Sequence, residues 1–328
     1  MQNRTTVAVI GAGRLGGAFG RLLSLAGYRI VAVTGRTRRS AASAARFIGA
    51  GEPMTDVARA AAGAAIVFIT TPDRAIRAVC ELIARGGGLR PGALVLHASG
   101  ANSLELLDAA RQVGARRAVM HPLQSVPSRE QGVVNLPGSY FRIEADPGAR
   151  RSVVALVRAF GGSELALPRW RSDPQSAAIY HAGAVAASNY LVTLLDFAVR
   201  HLQALGADRL QALQALLPLV RGTLANVERL GIPQALTGPI ARGDAPTITG
   251  HIAAMRQRAP ELLELYLQLA QQTIPLAQER GGLTAQTAEE MLRILRKQES
   301  PPSQISPRKH QAGDDHSGGS RDEKHGEV

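Results

Sequence analysis

Four apolar residues, Val7 to Ile10, run directly into Gly11-x-Gly13-x-x-Gly16, and apolar residues then recur at Leu15, Phe19, Leu22 and Leu23. This order predicts a buried strand, a glycine turn and a helix, the opening unit of a dinucleotide-binding sheet. Gly11 permits the tight turn, Gly13 lets backbone approach a pyrophosphate, and Gly16 lets the helix pack on the strand. The candidate phosphate contacts are Gly11, Gly13, Arg14, Leu15 and Gly16, where free N–H groups and the helix dipole favour an anion. A lone glycine motif is weak, but here a second strand, Ile30 to Val33, follows at the right distance.

That second strand selects the dinucleotide. A site for NAD places Asp or Glu about 20 residues beyond the glycines, on the ribose 2′-hydroxyl. This chain has Gly35-Arg36-Thr37-Arg38-Arg39-Ser40 instead, and no acid occurs before Glu52. Guanidinium groups bind a 2′-phosphate that an acid would repel. The expected cofactor is NADP(H), with Arg36 as first contact, beside Gly35 and Thr37, and with Arg38, Arg39 and Ser40 in support.

Strand and helix patterns alternate through the first half. Strands are expected near residues 65–70, 93–97, 118–120 and 139–144, with helices over 39–47, 57–62, 74–84, 103–113 and 149–160. The fold class is α/β, with a doubly wound, mostly parallel Rossmann sheet. Polar residues gather at strand carboxyl ends: Thr71-Pro72, expected beside the cofactor, His97, Ser99, His121 and Gln124. Asp73 reads as the cap of the helix that follows. From Trp170 onward only long helical patterns remain, near 174–205, 209–230, 247–255, 260–280 and 284–297. The expected division is a cofactor domain over 1–168, an all-helical domain over 169–297, and a disordered tail over 298–328. The first long helix is expected to run through the core, and so much apolar helix surface predicts a homodimer.

The chain has 328 residues and a net charge of +12. Only three of its 38 basic residues are lysines, Lys297, Lys309 and Lys324. The arginines are scattered, without an aromatic-interleaved basic stripe, which argues against a nucleic-acid partner. Cys80, the single cysteine, excludes an intrachain disulfide and reads as a small core residue. The first strand begins close to Met1, so no secretory leader is expected. The apolar run 182–199 contains Asn189 and Asp196 and reads as a buried helix, not a membrane span. A cytoplasmic protein is expected.

Several motifs in one order now bring a family into view: the glycine turn, His97-Ala98-Ser99-Gly100-Ala101, His121-Pro122-Leu123-Gln124-Ser125, Tyr180 to Tyr190, and Thr237 to Asp244. Over residues 5–297 the chain resembles Rossmann-like bacterial proteins with a C-terminal helical domain of unknown function 2520, labelled as oxidoreductases. The resemblance implies a fold similar to the 6-phosphogluconate dehydrogenase superfamily, deazaflavin-dependent NADP reductases and pyrroline-carboxylate reductases. It implies no substrate. Related β-hydroxyacid dehydrogenases use a Lys-x-x-x-Asn pair on the first long helix of the helical domain. Here Asn189 takes the Asn place, but Val185 stands where the lysine would be, which speaks against that mechanism.

Hydride transfer also needs a group that donates or accepts a proton. His181 precedes Asn189 by about two helical turns, so both face one side of a helix. A histidine side chain ordinarily titrates near neutrality, at about 6.5, and His181 is the first candidate for general acid. His121 is the second, and Ser99 a candidate to orient a substrate. His97 is expected to face the interior. No His-x-His or His-x-x-x-His spacing supports a metal site. Arg242 and Asp244 either close over an anion or cap the next helix. The leading reading is an NADP(H)-dependent oxidoreductase acting on a small anionic substrate between the domains. The alternative, favoured by the missing lysine, is a nucleotide-binding regulatory or scaffold protein without turnover.

Overall fold

A computed structural model describes residues 5–297; the tail expected to be disordered lies outside them. Strand β1 (Thr6–Ile10) leads through the glycine turn into helix α1 (Arg14–Leu25), then β2 (Arg29–Thr34) and α2 (Arg38–Ile48). There follow β3 (Glu52–Met54), α3 (Val57–Ala61), β4 (Ile66–Ile69), α4 (Asp73–Arg85), β5 (Leu94–His97) and α5 (Asp108–Gln112). Next come β6 (Arg116–Pro122), α6 (Arg129–Asn135), β7 (Tyr140–Ala145), α7 (Arg150–Ala159) and β8 (Ser163–Glu164). The sheet has eight strands in the order β3-β2-β1-β4-β5-β6-β7-β8. All neighbours are parallel except β6 and β7, which pair antiparallel with His121 opposite Arg142. The order reverses at β1, which lies between β2 and β4, and such a switch point opens a crevice at the strand carboxyl ends.

Both faces of the sheet are buried, and β1 shows why its strands are apolar without alternation. Val7 and Val9 pack with Phe19 and Leu23 of α1 and Ile48 of α2. Ala8 and Ile10 pack on the other face with Ile76, Cys80 and Ile83 of α4. Cys80 is fully buried, and burial pushes its thiol up to about 11. Within the sheet and its flanking helices three elements escaped the sequence patterns: β3 and β8, too short for periodicity, and α6, whose residues carry no apolar stripe.

The remaining helices are α8 (Pro174–Gln203), α9 (Arg209–Leu230), α10 (Ile232–Ala235), α11 (Ala245–Arg258), α12 (Pro260–Glu279) and α13 (Ala285–Arg296). The described residues fall into two compact units that divide between Leu194 and Leu195, within α8. In the second unit, Ile248 and Ile252 of α11, Leu267 and Ile274 of α12, and Met291 and Leu295 of α13 share one core. Asp244 caps α11 through the Thr247 amide at 3.1 Å and hydroxyl at 2.7 Å, so the capping role is the one it fills.

Helix α8 corrects an expectation. It does not run through a core: of its 30 residues only Ala177 and Val199 are fully buried. Ile179, Tyr190 and Val192 are more than half exposed, at 75%, 60% and 67%. An apolar sequence predicts burial against something, and among the described residues little covers these positions. By length and composition α8 also passes the test for a membrane span, as core helices of soluble proteins do.

Candidate active site

The glycine turn has the geometry its sequence calls for. Gly11 sits at φ +88° and is fixed from both sides. Its N–H donates to Thr34 Oγ1 at 2.9 Å, and its carbonyl accepts from the Thr70 hydroxyl at 3.0 Å. A Cβ on Gly16 would stand 2.3 Å from Thr70 Oγ1 and 2.8 Å from the Gly11 carbonyl, so only glycine lets α1 close on the strand ends. Gly13 is different: the nearest atom to its missing Cβ is 3.9 Å away, which leaves the approach open. Gly13 is the N-cap of α1 and has no side chain to occupy the first N–H groups, and the first turn holds no acid. These residues fit a pyrophosphate at the helix N-terminus.

At the end of β2, Gly35 is close-packed, since a Cβ there would meet Ser40 Oγ at 2.4 Å. Thr37 and Ser40 form a capping box on α2, so their polar groups serve the helix before any ligand. Arg36, Arg38 and Arg39 are exposed and take part in none of the ion pairs among the described residues. Three arginines without acid partners suit a 2′-phosphate.

A line of contacts leads along the sheet edge from this turn. A Cβ on Gly11 would meet Thr71 Cγ2 at 2.7 Å, and Thr71 Oγ1 is buried without a partner. Pro72, not Asp73, is the N-cap of α4. The Asp73 carboxylate instead accepts from the Ser99 hydroxyl at 2.7 Å and the Asn102 amide at 3.2 Å. That corrects Asp73 as a cap, and it ties the Ser99 hydroxyl proton to a carboxylate. Ser99 therefore organises the loop after β5 and has no free proton to offer. His97 does the same from below, accepting the Ser99 N–H at 3.1 Å and donating from Nε2 to the Ser103 carbonyl at 3.0 Å. It is fully buried as expected, and burial first, then the nearby Arg142 charge, lowers its pKa to about 4.

At Gly100 this loop meets the two candidate histidines. A Cβ there would lie 2.7 Å from His121 Nε2 and 2.8 Å from His181 Nδ1, so both rings close on a bare Cα. The rings stand edge to face with centroids 6.2 Å apart. His121 Nδ1 and the Tyr180 hydroxyl share a 2.8 Å hydrogen bond. Burial, with Arg142 adding to it, holds His121 down to about 3, while burial pushes Tyr180 up to about 12. The pair is thus uncharged across the physiological range. His181 Nδ1 is buried without a partner.

Behind the pair lies Arg142 of β7, 1% exposed. Its Nη1 meets Glu144 at 3.1 Å, and its Nη2 donates to the carbonyls of Ser99 at 3.0 Å and Asn102 at 2.9 Å. Its guanidinium carbon lies 4.6 Å from the Trp170 ring centre and 5.4 Å from that of Tyr180. Glu144 also accepts from the Ser172 hydroxyl and, at 3.4 Å, the Leu104 N–H. One buried ion pair thus pins the loop after β5 and the approach to α8.

His121, Tyr180 and His181 open onto a cleft of about 600 Å³, which Gln124, Val185 and Asn189 also line. Every lining residue belongs to the first unit. His181 and Asn189 of α8 line this one cleft together with His121 of β6. Tyr180 and Arg142 were missed. For Arg142 a signal existed: Arg142 and Glu144 alternate with Phe141 and Ile143, placing two charges on one face of a buried strand. Among the described residues no cluster of three His, Cys, Asp or Glu residues is arranged to hold a metal.

A model of the Rossmann-like domain matches residues 1–122, and the model of domain of unknown function 2520 matches residues 139–273. The chain thus carries both a Rossmann-like domain and domain of unknown function 2520, in that order. No curated protein matches it. Among solved structures, a candidate NADP oxidoreductase from Bacteroides fragilis is 24% identical, with TM-score 0.64 over 83% of this chain and 98% of that one. A pyrroline-5-carboxylate reductase from Coxiella burnetii is 16% identical, with TM-score 0.52 over 85% and 99%. A reductive aminase from Aspergillus terreus, solved with NADPH and ethyl-5-oxohexanoate, is 16% identical, with TM-score 0.52 over 90% and 93%. The chain therefore shares the fold of these three structures.

Proposed function

We propose that this protein is a cytoplasmic NADP(H)-dependent oxidoreductase that moves a hydride to or from a small anionic substrate in the cleft at His121, Tyr180 and His181. The observation that carries the proposal is the unbroken line of contacts along the strand carboxyl ends. It runs from Gly11 to Thr71, from Asp73 to Ser99, and from Gly100 to His121 and His181. A dinucleotide with its pyrophosphate on α1 extends along such an edge. Arg36, with Arg38 and Arg39 beside it, favours NADP(H), and the excess of base over acid favours an anionic substrate. The uncovered apolar face of α8 supports a homodimer.

When bound, the nicotinamide supplies or accepts the hydride. The chain's own residues handle the proton that balances it. His181 Nδ1 is turned into the interior, so Nε2 is the atom that gives a proton to the reduced carbonyl or imine, or takes one in the reverse direction. His121 stays neutral and fixes Tyr180 beside it. Asn189 orients the substrate from the same helix face.

The test is calorimetric titration with NADPH, followed by a reductase assay over small keto acids, imines and a deazaflavin, on wild type and His181→Ala. Loss of a general acid lowers the rate by about two to four decades, with NADPH affinity unchanged and the variant still folded at the assay temperature. Activity that survives the substitution moves the role to His121 or Tyr180. Tight NADPH binding with no turnover on any acceptor leaves the non-catalytic regulatory reading, which Val185 in place of lysine favours.

A further inference from the structure

The glycine turn is followed by one more glycine, Gly17, that strand, turn and phosphate do not need. It faces α6, where a Cβ would stand 2.7 Å from Arg129 Cδ and 2.8 Å from Cγ. Its bare Cα is the seat of the Arg129 side chain. From that seat Nε donates to the Gly13 carbonyl at 3.1 Å and Nη2 to the Ala12 carbonyl at 2.7 Å, across 116 and 117 residues of chain. Nη1 lies 3.4 Å from Ser43 Oγ on α2. Helix α6 is held close to α1 by a second bare Cα, since a Cβ on Gly132 would meet Ala18 Cβ at 2.7 Å. Among the described residues Arg129 makes no ion pair, and two of its three guanidinium nitrogens donate to carbonyls of the turn.

The two carbonyls belong to the peptide groups whose N–H groups are those of Gly13 and Arg14. A cation on a carbonyl oxygen draws electron density through the peptide group and makes its N–H a stronger donor. Arg14 N–H opens α1, where the phosphates are expected. The link to α2 also fixes the spacing of the two helices that flank the turn.

We infer that Arg129, seated on Gly17, is a positioning residue for the dinucleotide: it locks and polarises the glycine turn, and affinity for the pyrophosphate depends on it. The inference rests on the NADP(H) reading above. Because Arg129 acts through the turn, NADPH and NADH lose affinity together.

The experiment titrates NADPH and NADH by calorimetry into wild type, Arg129→Met, Arg129→Lys, Gly17→Ala and the double variant Gly17→Ala/Arg129→Met, with a melting curve for each. Arg129→Met weakens both nucleotides about tenfold. Gly17→Ala does the same by unseating the side chain, and the double variant is no worse than either single one. Arg129→Lys, a charge without the two-pronged grip, falls between wild type and Arg129→Met. Variants that melt lower yet bind both nucleotides like wild type overturn the inference and leave the cofactor reading standing. A loss confined to NADPH also overturns it, because Arg129 would then touch the 2′-phosphate. A wild type that binds neither nucleotide overturns both.

Discussion

The two ends of the site are built on opposite plans. At the cofactor end, a run of consecutive residues makes the turn, and its groups are left open: among the described residues nothing fills the space at Gly13, and Arg36 makes no ion pair. At the chemical end, the loop after β5, β6, β7 and α8 each contribute, and nearly every polar atom is hydrogen-bonded or buried. An open end can lose a side chain without disturbing the fold. A closed end cannot, because its side chains are also part of the packing. Substitutions at the chemical end should therefore register in stability, and those at the cofactor end in affinity alone.

Arg142→Met gives the largest expected departure. It removes the guanidinium that pairs with Glu144 and holds the carbonyls of Ser99 and Asn102, leaving a buried carboxylate without its counter-charge and two carbonyls without this donor. Breaking a buried pair on one side costs about 3–5 kcal/mol. Urea unfolding of the variant should show a loss of that order. A loss below about 1 kcal/mol would mean that the chemical end is as open as the cofactor end. The paired variant Arg142→Met/Glu144→Gln should recover part of the loss, since the unpaired charge is gone.

The pH dependence is the next largest effect. His97 and His121 are held neutral, with pKa values lowered to about 4 and about 3 from 6.5. Between those values and 6.5 the unfolded chain binds protons that the folded chain refuses, so stability falls as pH falls. Full stability is present above about pH 6.5, and each histidine costs roughly 1–2 kcal/mol by pH 5. Melting curves from pH 7.5 to 4.5 should slope accordingly, and His97→Gln should flatten the slope. An unchanged slope in His97→Gln would remove His97 from the account.

How much of this was legible in the sequence follows the same division. Val7 to Gly16 shows its strand, turn and helix because the forces involved act between neighbours. Arg36 could be proposed for the 2′-phosphate from sequence because its place is counted from the glycines. The pairing of Tyr180 with His121 spans 59 residues and depends on where α8 meets β6, which no local pattern encodes. Helix α6 did leave a trace. Ser128-x-x-Gln131 has capping-box spacing, and the Ser128 hydroxyl accepts the Gln131 N–H at 3.1 Å. Helix α8 was misplaced because an apolar pattern reports a need for cover without saying which surface meets it.

Arg36→Ala is the smallest expected change in stability and the sharpest test of the open end. The side chain is exposed and has no ion pair to break, so unfolding free energy should move by less than about 0.5 kcal/mol. Affinity should respond differently. A charge-assisted hydrogen bond contributes roughly 1.5–3 kcal/mol, or about one to two decades in Kd, to a ligand that carries the 2′-phosphate. NADH lacks that group, so its affinity should hold. Calorimetry with both nucleotides, on wild type and variant, measures the difference directly. Equal wild-type affinities for NADPH and NADH would sink the assignment of the phosphate to this loop. A decade lost for NADPH, with NADH and the melting curve unmoved, would show a cofactor end that binds without supporting the fold.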